Sequence, residues 1–280
     1  MPADPVRLTP SLLEKLWGRT RLEPWFPDSS VPIGEAWYLR PKGLKAGEGD
    51  LPLLVKLLFT SDRLSIQVHP DDGEGVAQGK TEMHHILQAE PGAAIALGFR
   101  RPITRERLRE ACATGEIEQL VNWFPVKAGE TYFTPAHTVH AIGAGIVLCE
   151  IQQNTDITYR LWDYGRPRER HVDLAVPIAD TGVHPGPIRP AALGNGHSLL
   201  VDSRHFVTEE ICLEPGGTFA PAPMPCQLIV CLEGCGAIGH QPLRSGEVWL
   251  LPEEHESALI RAETRARFLR TYVPGRDTIM

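Results

Sequence analysis

A glutamine and a histidine project from one strand-like segment, SIQVHP at residues 65–70. In extended backbone Gln67 and His69 stand two residues apart and point the same way, while Ile66 and Val68 turn into a packed layer. Lys80 and Glu82, within GKTEMHHI at 79–86, repeat that spacing and can face the same side. His84 continues the alternation and His85 breaks it; neither is assigned a role. His140 is embedded in apolar sequence near the end of TPAHTVHAI at 134–142, and His137 belongs to the turn before it, facing solvent. Two imidazoles, a carboxylate and a neutral amide make a nitrogen–oxygen donor set that suits zinc. The same set suits Fe(II), Co(II) or Mn(II), since two histidines and a carboxylate also form the facial triad of iron oxygenases. The stretch EIQQNTDITYRLWDYGR at 150–166 then adds Glu150, Asp156, Arg160 and Arg166 among aromatics. A bare metal site does not need these arginines. An anionic sugar or phosphate does, because guanidinium offers planar, bidentate donors.

The elements that position these groups are short. The chain of 280 residues holds 26 Gly and 25 Pro, and its apolar segments seldom exceed nine residues before a turn former intervenes. This pattern favours a mainly β fold with a few short helices. Strands are expected at LPLLVKLLF, LSIQV, ETYFT, GIVLCEIQ, FVTEEICLE, QLIVCLEG, EVWLL, SALIRA and RARFLRTYV. Two stretches read as helices. Thr9-Pro10-Ser11 before LLEKLW has the look of a cap, a first-turn proline and an apolar stripe. TRERLREACATGEIEQLVNWF, from Thr104, places Leu108, Ala111 and Cys112 on one face, with Gly115 weakening its middle.

Composition closes off several function classes. With 28 Lys+Arg against 35 Asp+Glu the formal net charge is −7, the wrong sign for a nucleic-acid protein. No run of about 18 apolar residues is available to span a membrane. The N-terminal residues lack an apolar signal core, and six cysteines without a CxxC pair read as reduced thiols, so a cytoplasmic location is expected. A Pro/Gly-rich stretch at 178–198 marks a boundary, giving a metal-binding unit over 1–178 and a second β unit over 179–280. An internal repeat agrees with two related units: KAGETYFTPAHTVHAI at 127–142 aligns with RSGEVWLLPEEHESAL at 244–259, pairing Gly129 with Gly246, Glu130 with Glu247 and Pro135 with Pro252. In that alignment Ser257 stands opposite His140, so the second unit lacks the metal ligands.

Four ordered motifs, QVHP, GKTE, FPVKAGETYFTPAHTVHAIG and EIQQNTDITYRLWDYGR, together resemble the type I mannose-6-phosphate isomerases in their short bacterial form. The resemblance spans roughly residues 15–170. It implies two cupin-like jelly-roll barrels, the first catalytic, and one Zn2+ per chain. Position by position, it implies Gln67, His69, Glu82 and His140 as metal ligands, and Arg160 as the catalytic arginine. Lys80, Glu150 and Asp156 match residues that handle substrate or line the pocket, and Arg166 stands where longer members carry a phosphate-contacting lysine. Two departures are visible: His137 replaces the glycine of the cupin Pro-x-Gly turn, and the helical domain of the longer members is absent. The implied reaction is interconversion of mannose 6-phosphate and fructose 6-phosphate through a cis-enediol, with a small sugar phosphate as partner and a monomer or homodimer as the assembly. Two other readings fit parts of the same residues. An Fe(II) oxygenase would use His69, Glu82 and His140 but leaves Gln67, Lys80 and Arg160 without work, and a non-catalytic sugar-binding cupin would keep the pocket without turnover.

Overall fold

Short apolar runs between turn formers become strands wherever both faces find cover. The computed structural model describes residues 4–39, 51–224, 226–251 and 258–275. The chain begins β1 (Val6–Arg7), β2 (Thr9–Arg19), β3 (Ile33–Leu39), β4 (Leu53–Phe59), β5 (Ile66–Val68), β6 (Glu82–Ala89) and β7 (Ala94–Phe99). Helices α1 (Arg105–Thr114) and α2 (Ile117–Leu120) follow, then β8 (Val121–Pro125), β9 (Thr131–Thr134), β10 (His140–Ile142), β11 (Ile146–Gln153) and β12 (Tyr159–Trp162). After α3 (Val172–Ile178) come β13 (Ala191–Gly194), β14 (His197–Asp202), β15 (Val207–Leu213), β16 (Thr218–Phe219) and β17 (Gln227–Glu233). The last strands are β18 (Cys235–Ile238), β19 (Gln241–Arg244), β20 (Val248–Leu251), β21 (Ile260–Ala262) and β22 (Ala266–Tyr272).

The fold is mainly β, built as two cupin-like jelly-roll barrels. Each pairs a large sheet with a small one. In the first barrel the orders are β2-β3-β4-β11-β6-β9 and β12-β5-β10-β7-β8. In the second they are β13-β14-β15-β22-β17-β20, with β1 added beside β20, and β16-β21-β18-β19. Apart from β1 and β12 the two sequences of neighbours correspond strand for strand. Residues 4–8 therefore cross over: Val6 pairs with Leu250 and Arg7 with Trp249.

The repeat in the sequence is the turn that enters β9 and β20. Gly129 and Gly246 both take left-handed φ, 89° and 83°, a conformation that glycine adopts at little cost. Glu130 then accepts from the Lys127 amide (2.9 Å) and the Tyr132 hydroxyl (2.9 Å). Glu247 does the same with the Arg244 amide (3.1 Å) and the Trp249 indole (3.2 Å). Pro252, His255 and Ser257, the rest of that alignment, lie outside the described residues.

Alternation sorts the large sheet's side chains between two cores. Val55, Leu57, Phe59, Met83, Cys149 and Ile151 face the second barrel and pack with Leu228, Val230, Val248 and Leu269. Leu58, Ile86, Leu148, Tyr132 and Ile142 face the interior of the first barrel. β4, LLVKLLF, is consequently buried along its whole length, as a strand covered on both faces must be. On the interior face the same alternation places Lys56, Glu82, His84, Glu150 and Gln152 together, since Glu150 pairs with Lys56 on one side and with His84 on the other.

One expected helix is a strand. Residues 9–19 form β2, an edge strand paired with β3 through Leu12 opposite Ala36 and Pro10 opposite Tyr38. Their exposure alternates with a period of two: Ser11, Leu13, Lys15 and Trp17 turn toward a cavity, while Leu12 and Leu16 are exposed at 43% and 81%. Hydrogen bonds to β3 and cover for every second side chain outweigh the weak local helix signal. The second expected helix forms only in part: it breaks at Gly115, whose φ of 84° ends α1 before α2 begins and where a Cβ would lie 2.5 Å from Trp162, and its expected last residues, VNWF, belong instead to strand β8, paired with β7.

Candidate functional site

Three elements bring the candidate ligands together. β5 supplies Gln67 and, just past its end, His69; β6 opens with Glu82; β10 opens with His140, paired directly across from Gln67. All are buried apart from Gln67, which is partly exposed to the cavity. Glu82 Oε1 lies 2.9 Å from His140 Nε2, 3.4 Å from His84 Nε2 and 3.6 Å from His69 Nε2, with Lys80 Nζ 2.7 Å from Oε2. The Glu82 side chain is 1% exposed; the Lys80 ammonium pairs with Oε2, and Oε1 is the oxygen that faces the imidazoles. An ionised carboxylate so placed is costly unless a cation compensates it.

The surrounding contacts prepare the imidazoles. The Thr138 carbonyl accepts from His140 Nδ1 (2.9 Å), which leaves the Nε2 lone pair directed at the cluster. His137, in the glycine position of that turn, adopts φ of 75° itself, and its Nε2 meets Glu74 at 2.8 Å. Burial above all, and then Lys80, depresses the His69 imidazole to about 3, so it is neutral and able to donate a lone pair at neutral pH. Gln67 presents Nε2 to His140 (3.3 Å) while Oε1 accepts from Ser65 Oγ (3.2 Å). Acting as an oxygen ligand requires that amide to turn over, which the serine hydroxyl accommodates as acceptor in place of donor.

Behind the candidate ligands lies a buried charge network. Lys56 Nζ donates to Glu150 Oε1 (3.1 Å) and Gln152 Oε1 (2.6 Å) and sits 4.7 Å over the Trp37 ring. Lys80 Nζ is 3.9 Å from Glu150 Oε1, and His84 Nε2 is 3.1 Å from Glu150 Oε2. Burial pushes the Glu150 carboxyl up, but Lys56 and then Lys80 overcome it and hold the group well below the usual carboxylate range. Burial likewise works against charge on His84, yet Glu82 and Glu150 lift its imidazole to about 9. Two lysines thus balance two carboxylates, with His84 carrying an additional proton.

Lys56, Lys80 and Glu150 of this network line a cavity of about 620 Å³, together with Trp17, Trp37, Ser65, Asp156, Thr158, Arg160 and Arg168. Arg160 pairs in register with Gln67, and its Nε donates to Ser65 Oγ (3.3 Å). Of the sequence candidates, Gln67, Lys80, Glu150, Asp156 and Arg160 line this cavity, and His69, Glu82 and His140 lie buried against it. Arg166 does not line it. Its guanidinium is held by Asp163 Oδ1 (2.8 Å) and the Arg63 carbonyl (2.9 Å), and Arg168, two residues on, faces the cavity instead. Lys56 and His84 were missed as site residues. Lys56 was legible as the single charge in a seven-residue apolar strand, and His84 as the continuation of the Glu82 alternation.

In the second barrel the corresponding positions hold different chemistry. Gln227 opens β17 as Glu82 opens β6, and the lysine–carboxylate pair is reversed in sign: Arg270 on β22 donates to Glu209 on β15 at 3.0 Å. Among the described residues no group of three potential metal ligands lies wholly within that barrel.

Fold and site together define a class: a two-barrel cupin whose first barrel holds histidines and a carboxylate buried next to the lining of a polar, arginine-bearing cavity. A family model described as phosphomannose isomerase type I, catalytic domain, matches residues 29–99. A mannose-6-phosphate isomerase of Streptococcus mutans is 30% identical over 91% of this chain and 94% of its own length. One from Bacillus subtilis is 32% identical over 64% of this chain and 69% of its own. The crystal structure of the Bacillus subtilis mannose 6-phosphate isomerase has a TM-score of 0.84 at 27% identity, covering 97% of this chain and 100% of that one. A variant of the Salmonella typhimurium phosphomannose isomerase shares the fold at a TM-score of 0.77 and 17% identity, over 96% of this chain and 100% of that one. The chain belongs to the type I phosphomannose isomerase family.

Proposed function

We propose that this protein interconverts mannose 6-phosphate and fructose 6-phosphate through a cis-enediol, with one zinc ion held by Gln67, His69, Glu82 and His140. The observation that supports the metal is the buried Glu82 carboxylate, whose Oε2 pairs with Lys80 while Oε1 faces the Nε2 atoms of His69 and His140. His69, Glu82 and His140 each offer a ligand atom within 4.8 Å of the others, and a nitrogen–oxygen set of this kind suits zinc. When bound, zinc supplies Lewis-acid polarisation of a substrate carbonyl.

The remaining work falls to the chain. A metal dication added to a network of two lysines and two carboxylates leaves an excess positive charge that favours a dianionic substrate. Arg160 turns its guanidinium toward Ser65 and the Glu169 carbonyl, away from the carboxylates, where it holds the phosphate. Lys80 and Glu150, 3.9 Å apart on the cavity wall, are the groups placed to carry a proton between C1 and C2. His84, behind Glu150, and Lys56, beside it, set the charge of that carboxylate. Trp17 and Trp37 give the sugar an apolar wall and exclude water.

A coupled assay of mannose 6-phosphate conversion, on purified protein with chelator and with zinc restored, tests this reading. Turnover lost with the metal and regained with zinc supports it. Full activity in metal-free protein overturns it.

A further inference from the structure

Two guanidiniums, those of Arg160 and Arg168, face the same cavity. Both line it because segment 168–171 folds back along β12. The Arg160 amide donates to His171 Nδ1 (3.1 Å), the His171 amide donates to the Arg160 carbonyl (2.7 Å), and Arg160 Nη1 donates to the Glu169 carbonyl (2.7 Å). Asp163, just past the end of β12 and 2% exposed, grips Arg168 as a fork. Its Oδ2 accepts from Nε at 2.6 Å and its Oδ1 from Nη2 at 2.7 Å, and Nη1 of Arg168 has no hydrogen-bond partner among the described residues. The same carboxylate also holds Arg166 at 2.8 Å, so one buried negative charge is divided between two cations. Arg160 has no carboxylate within ion-pair distance among the described residues. Burial lowers the affinity of its guanidinium for a proton, and Arg168 adds to that effect. Asp156 lines the cavity too but pairs with neither arginine. This end of the cavity therefore holds two guanidiniums, a serine hydroxyl and less negative charge than positive.

We propose that Arg168, oriented by the bidentate grip of Asp163, is the second guanidinium that binds the substrate's phosphate and sets the preference for a phosphorylated over a neutral sugar. This rests on the sugar-phosphate reading above. Asp163 is a positioning residue: it fixes the plane of Arg168 and touches no substrate. Sharing one carboxylate with Arg166 leaves Arg168 only partly neutralised, which suits it to a dianion arriving from solvent.

The test compares Arg168→Gln, Arg168→Lys and Asp163→Asn with the unaltered, zinc-loaded protein. Two readouts are taken: kinetics with mannose 6-phosphate, and calorimetric binding of inorganic phosphate, which needs no turnover. Removing one charge-assisted hydrogen bond corresponds to about tenfold to a hundredfold weaker phosphate binding. Arg168→Gln is expected to weaken phosphate and to raise KM by that factor at nearly unchanged kcat. Arg168→Lys restores part of both, because the charge returns without the fork. Asp163→Asn raises KM in the same direction. Unchanged phosphate affinity in Arg168→Gln, or a fall in kcat at constant KM, overturns the proposal. Phosphate binding that depends on Arg168 in a protein inactive on mannose 6-phosphate supports it and removes only the choice of sugar.

Discussion

Replacing Lys56 by methionine keeps most of the side-chain volume and removes the cation that holds Glu150. At the observed 3.1 Å separation, Coulomb's law with an effective dielectric of about 20 gives about 5 kcal/mol of attraction. Both groups have also lost their water, since Lys56 and Glu150 are each 4% exposed. Breaking such a pair on one side leaves a buried charge, and the cost expected is about 3–5 kcal/mol. Lys80 at 3.9 Å and His84 at 3.1 Å offset part of that, so about 3 kcal/mol is expected near pH 8. For a chain of this size that is a fall in Tm of about 6–12 °C. The sign of the pH dependence follows from Glu150, whose carboxyl lies below its ordinary value of 4.5 in the intact protein. A depressed carboxylate contributes stability that is present above the unfolded pKa and lost as pH falls through the folded one. The variant lacks most of that contribution, so its deficit is largest at pH 8 and shrinks as pH is lowered through about 4.5. Adding Glu150→Gln to Lys56→Met removes the orphaned charge and recovers most of the loss. Scanning calorimetry and urea unfolding of the two single variants and the double measure the coupling. A Lys56→Met protein within about 1 kcal/mol of wild type, or a double variant no more stable than the single, refutes the reasoning.

Other expectations follow from the same contacts. Glu82→Gln removes the only carboxylate among the proposed ligands, and metal analysis after dialysis should find the variant with less than a tenth of the zinc held by the wild type. Burial, and secondarily Arg267, depresses the His85 imidazole to about 3. The unfolded chain then binds a proton there that the folded one refuses, so stability falls as pH drops below about 6.5, by about 2 kcal/mol at pH 5 from this residue. His85→Gln should flatten the fall between pH 7.5 and pH 5 in urea midpoints; an unchanged slope would mean that other groups produce it. Glu130→Gln and Glu247→Gln each weaken a carboxylate that binds an amide and a ring donor. Each is expected to cost about 1–2 kcal/mol, and similar losses in thermal unfolding would show that the two turns do the same work in both barrels.

The shared faces of the candidate donors, the repeat and most strands were legible in the sequence because each is a matter of local periodicity and residue type. Gln67 with His69, and Glu82 with His84, share a face by the two-residue period of extended backbone, whatever the rest of the chain does. The left-handed glycines at 129 and 246 and the paired Gly-Glu turns are likewise local. Tertiary structure decided the rest. Residues 9–19 carry a helix-like cap and stripe yet form an edge strand, because pairing with β3 and cover for alternate side chains supply more free energy than one short helix can. Lys56 reads as an oddity in an apolar strand until β11 places Glu150 opposite it and β6 places His84 beyond. Arg166 and Arg168 are equally plausible by spacing. Only the turn after β12, with Asp163 beneath both, sends one into the cavity and ties the other to the Arg63 carbonyl. Alternation along a strand tells which residues share a face; which faces meet, and which charges come to rest side by side without water, is settled by the packing of sheets distant in sequence.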